Sequence, residues 1–183
     1  GGLYVVVFAR GVVQHRIYMT SWLRKQVEAR GLASPIGMGR IWRVSDEDAP
    51  KAGDQTSIAS MSDRDLVDIL DTDPNGFRRD TAQRLLVERR ATDVAPALRD
   101  IAVDVDRPIA SRLHALWTLD GMGAVDSALL GGLVADGDPI IREHTARIAE
   151  SVPPAIAVGP LAALALDDHS RVRMQAVLSI GEL

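Results

Sequence analysis

The chain of 183 residues contains no cysteine, which removes disulfides, thiolate nucleophiles, thiol-ligated zinc, iron–sulfur clusters and the covalent attachment of a c-type haem within these residues. Aromatic residues make up only 4%. No apolar run approaches the roughly 20 residues that span a bilayer, and Gly1 to Phe8 lack the basic flank and small-residue cleavage site of a signal peptide. Lysine is almost missing: Lys25 and Lys51 stand against 19 arginines.

What is present is an ordinary globular composition, 46% hydrophobic and 25% charged, with a net charge of -4. The charge is unevenly placed. Residues 1–45 hold seven basic side chains against Glu28, a balance of +6, whereas residues 46–183 carry -10. An acidic main body lacks the positive stripe that displaces counterions from phosphates, so no nucleic-acid partner is expected.

Residues 1–45 read as strand, turn, helix, strand. Leu3 to Phe8 is a β-branched and aromatic run without polar alternation, the pattern of a strand buried on both faces. Arg10-Gly11 breaks it. A helix is expected from about Trp22 to Arg30, with Thr20 or Ser21 as N-cap and Gly31 as its stop, followed by a second strand from Gly39 to Val44. Two strands and one short helix leave a face and both edges of the ribbon wet, so this module needs a partner surface. Residues 46–61 are polar, contain Pro50 and Gly53, and show no period, as a linker does.

From residue 62 onward the chain repeats. An Arg is followed three residues later by a small side chain four times: Arg79/Ala82, Arg112/Ala115, Arg142/Thr145 and Arg173/Ala176, spaced 33, 30 and 31 residues apart. Before each Arg stands an Asp that is expected to open a helix: Asp73, Asp106, Asp138 and Asp168. Shorter helices are expected ahead of these, over residues 65–70, 94–103, 125–133 and 161–166. A period near 31 with two helices per unit predicts a mainly α fold, an α-solenoid of short HEAT-like pairs (an armadillo-type superhelix) over 62–183. The small residue lets helix axes cross at roughly 8–10 Å. Recurring Asp and Arg predict a ladder of exposed ion pairs worth about 0–1 kcal/mol each. No polar capping helix follows the fourth pair, so the repeats are expected to continue in a longer protein.

Three stretches together carry a family likeness: Leu3-Tyr4-Val5-Val6-Val7-Phe8-Ala9-Arg10-Gly11-Val12-Val13-Gln14-His15, then Leu23 to Leu32, then Gly39-Arg40-Ile41-Trp42-Arg43-Val44. The chain resembles the closing β-propeller blade of the bacterial membrane-bound dehydrogenases, the PVC-type haem-binding proteins related to sugar and sorbosone dehydrogenases. Arg79 to Arg89 and Leu113 to Gly121 resemble the first HEAT-like repeats that follow the propeller in that family. The resemblance implies a periplasmic or otherwise exported parent with electron-transfer function, whose haem c and quinone cofactor belong to other domains, with no cofactor in these residues. Where the family strand has an acidic residue followed by an aromatic pair, this chain has Val7, Phe8 and Ala9, which withdraws a polar contribution from that blade.

The expected function is a non-catalytic scaffold whose partners are the other domains of the parent and a protein or peptide in the repeat groove. The alternative, from a different class, makes residues 1–45 part of a sugar or alcohol dehydrogenase site, with Arg10, His15 and Arg40 at the propeller mouth. His15 would otherwise hold its turn by a hydrogen bond. His114 and His144 both stand two residues after a register Arg, which places them roughly 10 Å apart on stacked helices. They would share a ligand or metal, or belong to a polar ladder with Thr81 and Gln175. The ladder is preferred, since no third ligand has suitable spacing. Asp63, Asp65, Asp68, Asp71 and Asp73 are read as a solvated face and caps, and Gly121 to Gly123 and Gly131-Gly132 as helix ends and close-packing sites. No catalytic or metal-binding residue is named.

Overall fold

The computed structural model describes residues 3–7, 12, 15–34, 37–44 and 57–183. The chain divides into two compact units, residues 1–55 and 56–183.

In the first unit, β1 (Leu3–Val7) and β2 (Arg40–Val44) form an antiparallel ribbon in which Leu3 faces Val44 and Val7 faces Arg40. Between them lies α1 (Ser21–Ala29), whose N-cap Thr20 accepts the Leu23 N–H through its hydroxyl at 3.3 Å. Gly31, at φ +62°, closes α1: its N–H reaches the Glu28 carbonyl and the Leu32 N–H reaches that of Val27, the paired bonds of a Schellman ending. Strand, helix and strand thus fall where the sequence puts them. The expectation that β1 is buried on both faces is corrected, because every residue of both strands is exposed. A two-stranded ribbon has no layer of its own to cover either face.

The second unit is helical throughout. Its helices are α2 (Asp63–Thr72), α3 (Gly76–Arg89), α4 (Ala95–Val103), α5 (Ile109–Gly121), α6 (Ser127–Leu133), α7 (Pro139–Ile148), α8 (Pro154–Leu164) and α9 (Ser170–Ile180). They form four successive pairs, α2/α3, α4/α5, α6/α7 and α8/α9, each first helix packing on its second. Second helices touch in the order α3, α5, α7, α9 and first helices in the order α2, α4, α6, α8. A single hydrophobic cluster runs through all four pairs, with Leu66, Leu86, Leu98, Leu119, Leu130, Ile141, Leu161 and Leu164 among its fully buried members. Ala82, Ala115, Thr145 and Ala176 are all completely buried on the successive second helices.

Local chemistry explains most boundaries. Ser62 and Asp65 make a reciprocal capping box at α2, and the side chains of Asn75, Asp126 and Asp138 cap α3, α6 and α7; such caps contribute about 1 kcal/mol each. Asp73, Asp106 and Asp168 are not the N-caps that the sequence suggests, those positions being Asn75, Pro108 and His169. Residues 161–166 are not the last first-helix. It starts seven residues earlier, at Pro154, because proline at the first turn gives up no helical hydrogen bond. Pro160 sits inside α8 and removes one, yet Ala157, Leu161 and Leu164 hold the helix against the core.

The helical unit also begins before residue 62. A 3₁₀ turn at Ile58–Ser60 lies on the core through Ile58 and Met61, so the far end of the expected linker is packed structure.

Candidate functional site

The register arginines build the site outward from the loop between the helices of each pair. In all four pairs an Asp side chain accepts the backbone N–H two residues on: Asp73 from Asn75, Asp104 from Asp106, Asp136 from Asp138 and Asp167 from His169, at 2.8–3.0 Å. That fold of the loop aims carbonyl oxygens at the second helix. In three pairs the register Arg takes one of them, Arg79 from Asp73 at 2.6 Å, Arg142 from Asp136 at 2.7 Å and Arg173 from Asp167 at 2.7 Å, while Arg112 donates to the Ala102 carbonyl in the last turn of α4 at 3.0 Å.

Two of these arginines also reach forward into the next pair. Arg112 donates to both carboxylate oxygens of Asp136, and Arg142 to those of Asp167 at 2.6 and 2.9 Å. The Arg112 and Asp136 side chains are 3% and 5% exposed. The expected exposed ladder is thus corrected, because the loop fold carries the carboxylates under the adjoining helix ends, where an ion pair is shielded from solvent. The Arg142 guanidinium holds the Asp167 carboxyl well below the usual carboxylate range, with its hydrogen bonds outweighing the opposing effect of burial. Between the first two pairs the link differs: Arg107 donates to Asp71, and Ser111 donates to the Asp71 carbonyl at 2.6 Å.

Beside this row, a column of polar side chains runs along the second helices. His114 Nδ1 meets Gln83 Oε1 of α3 at 2.7 Å, and His144 Nδ1 accepts the indole N–H of Trp117 on α5 at 3.0 Å, with the two rings edge to face at 5.8 Å. Gln175 and Ser179 of α9 both donate to Glu150, at 3.3 and 2.6 Å. An indole N–H only donates, so Nδ1 of His144 carries the lone pair. Burial lowers the pKa of both; at His114 the Arg79 charge adds to this while Asp80 opposes it, and at His144 Glu143 opposes it while Arg147 and Arg171 add to it.

Next to the column, α3 and α5 border a shallow, open depression lined by Asp80, Arg84, Val87 and Glu88 from α3 and by Trp117 and Asp120 from α5. Arg84 and Glu88 bond to each other at 2.9 Å at its rim. Trp117 forms its floor, half-buried, because its indole nitrogen is tied to His144 while its ring packs against the core.

The site residues picked out from sequence are scattered. His114 and His144 stand in one column but bond to different neighbours, Gln83 and Trp117. His15 is exposed and its backbone carbonyl, rather than its ring, accepts the Tyr18 N–H at 3.0 Å. Arg40 donates to the carbonyls of Gly37 and Gly39 at 3.3 and 2.9 Å, which ties down the entry to β2. Arg10 lies outside the described residues. Among the described residues no group of three His, Asp or Glu side chains is arranged to hold a metal ion. The acidic run on α2 divides its labour: Asp65 caps, Asp63 receives Arg89 at 2.8 Å, and Asp71 joins the second pair.

Sequence reasoning missed Gln83, Trp117, Asp136 and Glu150. A signal for Asp136 was present, since Asp73, Asp104, Asp136 and Asp167 recur at intervals of 31, 32 and 31. Compared with models of known protein families, with curated proteins and with solved structures, the chain matches none.

Proposed function

We propose that this chain is a positional element without chemistry of its own: a short α-solenoid of four HEAT-like pairs, joined to the closing segment of a β-propeller, that takes a protein or peptide segment on the face of its second helices. In this reading it holds the dehydrogenase and cytochrome parts of a periplasmic electron-transfer protein in fixed relation. That wider setting rests on the resemblance of residues 3–15, 23–32, 39–44, 79–89 and 113–121. The observation that carries the positional role is the bonding of one pair to the next through Gln83–His114, Trp117–His144 and, from the 3₁₀ turn after α7, Glu150–Gln175. Polar side chains spent on one another stiffen a stack.

The test is made on the parent protein with residues 57–183 deleted. Substrate oxidation by an added soluble acceptor should persist, while reduction of the parent's own haem should fall at least tenfold. Loss of both together, or acceptor reduction by the isolated 183-residue chain supplied with quinone cofactor and sugar, would overturn the reading.

A further inference from the structure

One link between pairs depends on a lone pair that a proton can occupy. Trp117 of α5 donates its indole N–H to Nδ1 of His144 on α7 at 3.0 Å, and the rings meet edge to face, the one such ring contact among the described residues. An imidazolium has only donors and an indole N–H offers no acceptor, so a protonated His144 cannot keep this bond. The contact one step earlier is built differently. His114 meets the amide of Gln83, which can present either its oxygen or its NH₂, so that bond suits the ring in either charge state. The other polar links between the second and third pairs, Arg112–Asp136, Arg99–Asp126 and Ser151–Asp120, contain no imidazole. On the first-helix side the same step rests on α6, the shortest helix of the unit at seven residues, whose Gly131 and Gly132 have no atom within 4 Å of where a side chain would start. The second helices therefore carry most of the hold between these two pairs.

The surroundings of His144 leave a positive ring poorly served. Burial is the main obstacle to charging it; Glu143 on its own helix favours the charge, whereas Arg147 and, from α9, Arg171 oppose it, and Arg171 already bonds Glu143 at 2.9 Å. From α5 come Arg112, His114 and Asp120, engaged with Asp136, Gln83 and Ser151. The turn after α7 brings Glu150, engaged with Gln175 and Ser179, and Arg173 of α9 is spent on the carbonyls of Asp167 and Asp168. The helices α6 and α8 carry no charged side chain.

We propose that the Trp117–His144 contact is an acid-released clasp: with His144 neutral it holds the second and third pairs together, and a proton on Nδ1 frees the indole and lets the stack bend at this step while each pair stays folded. Because the closed clasp excludes the proton, the proton favours the open one, so the joint is closed near neutrality and opens below about pH 6.5. Trp117 also lines the depression between α3 and α5, and its release alters that surface as well. The inference goes beyond the proposed function and needs neither its electron-transfer setting nor its partner.

The test uses the full 183-residue chain with Trp22→Phe and Trp42→Phe, both at exposed positions, so that Trp117 is its only indole. As the chain has no cysteine, Glu88→Cys on α3 and Met174→Cys on α9 take one pair of spin labels. From about pH 7.5 to 5.5 the Trp117 emission should move to longer wavelength and the distance between labels should change by roughly 3 Å or more, with the helical circular dichroism unchanged. In His144→Gln, whose amide still accepts the indole N–H, emission and distance should both stay at their neutral values. In Trp117→Phe the distance should sit at its acid value throughout, and His114→Gln should leave both changes in place. The inference is overturned if neither signal responds to pH, if both respond equally in His144→Gln, if His114→Gln abolishes them, or if the emission shifts while the distance holds. A helical signal that falls together with them overturns it too, since the unit is then unfolding rather than bending.

Discussion

Arg112 lies almost wholly out of water, with one guanidinium edge on the Ala102 carbonyl and the other on Asp136. Removing one member strands a charge that has lost its hydration and its partner, whereas removing both strands nothing. Asp136→Ala should therefore lower the unfolding free energy of the helical unit by about 3–5 kcal/mol, and Arg112→Met with Asp136→Leu should cost less than either single change. Denaturant unfolding of the three variants measures this; a double variant as unstable as the sum of the singles would contradict it. The arginine was legible in the sequence because it keeps step with a small residue three positions on. Its partner was not, because several aspartates crowd each loop and only the tertiary fold decides which one passes beneath the next guanidinium. The positions chosen from spacing, 106, 138 and 168, stand one or two residues beyond the carboxylates that form the row, 104, 136 and 167.

At the level of helices, Gly121 marks a close approach of α5 to α3. A Cβ added there would come within 2.8 Å of a Val87 methyl, closer than real side chains approach, so α3 and α5 would have to separate. Gly121→Ala should destabilise by about 1–3 kcal/mol, the usual cost of overpacking, and Val87→Ala in the same chain should recover most of it; thermal midpoints of the two variants check both parts. Close packing was read correctly at Gly121 and wrongly at Gly131 and Gly132, where an added Cβ meets nothing within 4 Å. Glycine pairs look alike in sequence whether they admit a neighbouring helix or merely face outward. Helix ends were more legible. Gly31 and Gly123 both take positive φ as stops, since the left-handed turn costs glycine nothing. The end of α3 carried no such mark, because Arg90 adopts that conformation instead, at φ 52°.

For the helical unit as a whole, pH dependence follows from groups already placed. The pKa values of His114 and His144 are lowered by folding, so below about pH 6.5 the unfolded chain binds protons that the folded one resists, and stability falls. His144 has the larger share, since protonating Nδ1 breaks its bond from Trp117, while His114 keeps Gln83 and has Asp80 at 3.9 Å. A carboxylate such as Asp167 has its pKa lowered as well, so its stabilisation is present above about pH 4 and is lost as the pH drops further. Denaturant midpoints should thus decline in two stages, from pH 7 to 5 and again below 4, and His144→Gln should flatten the first; a midpoint that rises between pH 7 and 5 would contradict this.

By itself the sequence determined the helical period, the four pairs, the small residue at each crossing and the separate character of residues 1–45. These depend on side-chain size and polarity repeating at fixed intervals, and such intervals are visible in one dimension. Only the tertiary structure decided which aspartate meets which arginine and that the two histidines look to different neighbours. Those outcomes depend on distances between segments 24 to 31 residues apart, and they are settled by how helices of unequal length and loops of unequal fold bring a few polar atoms within reach.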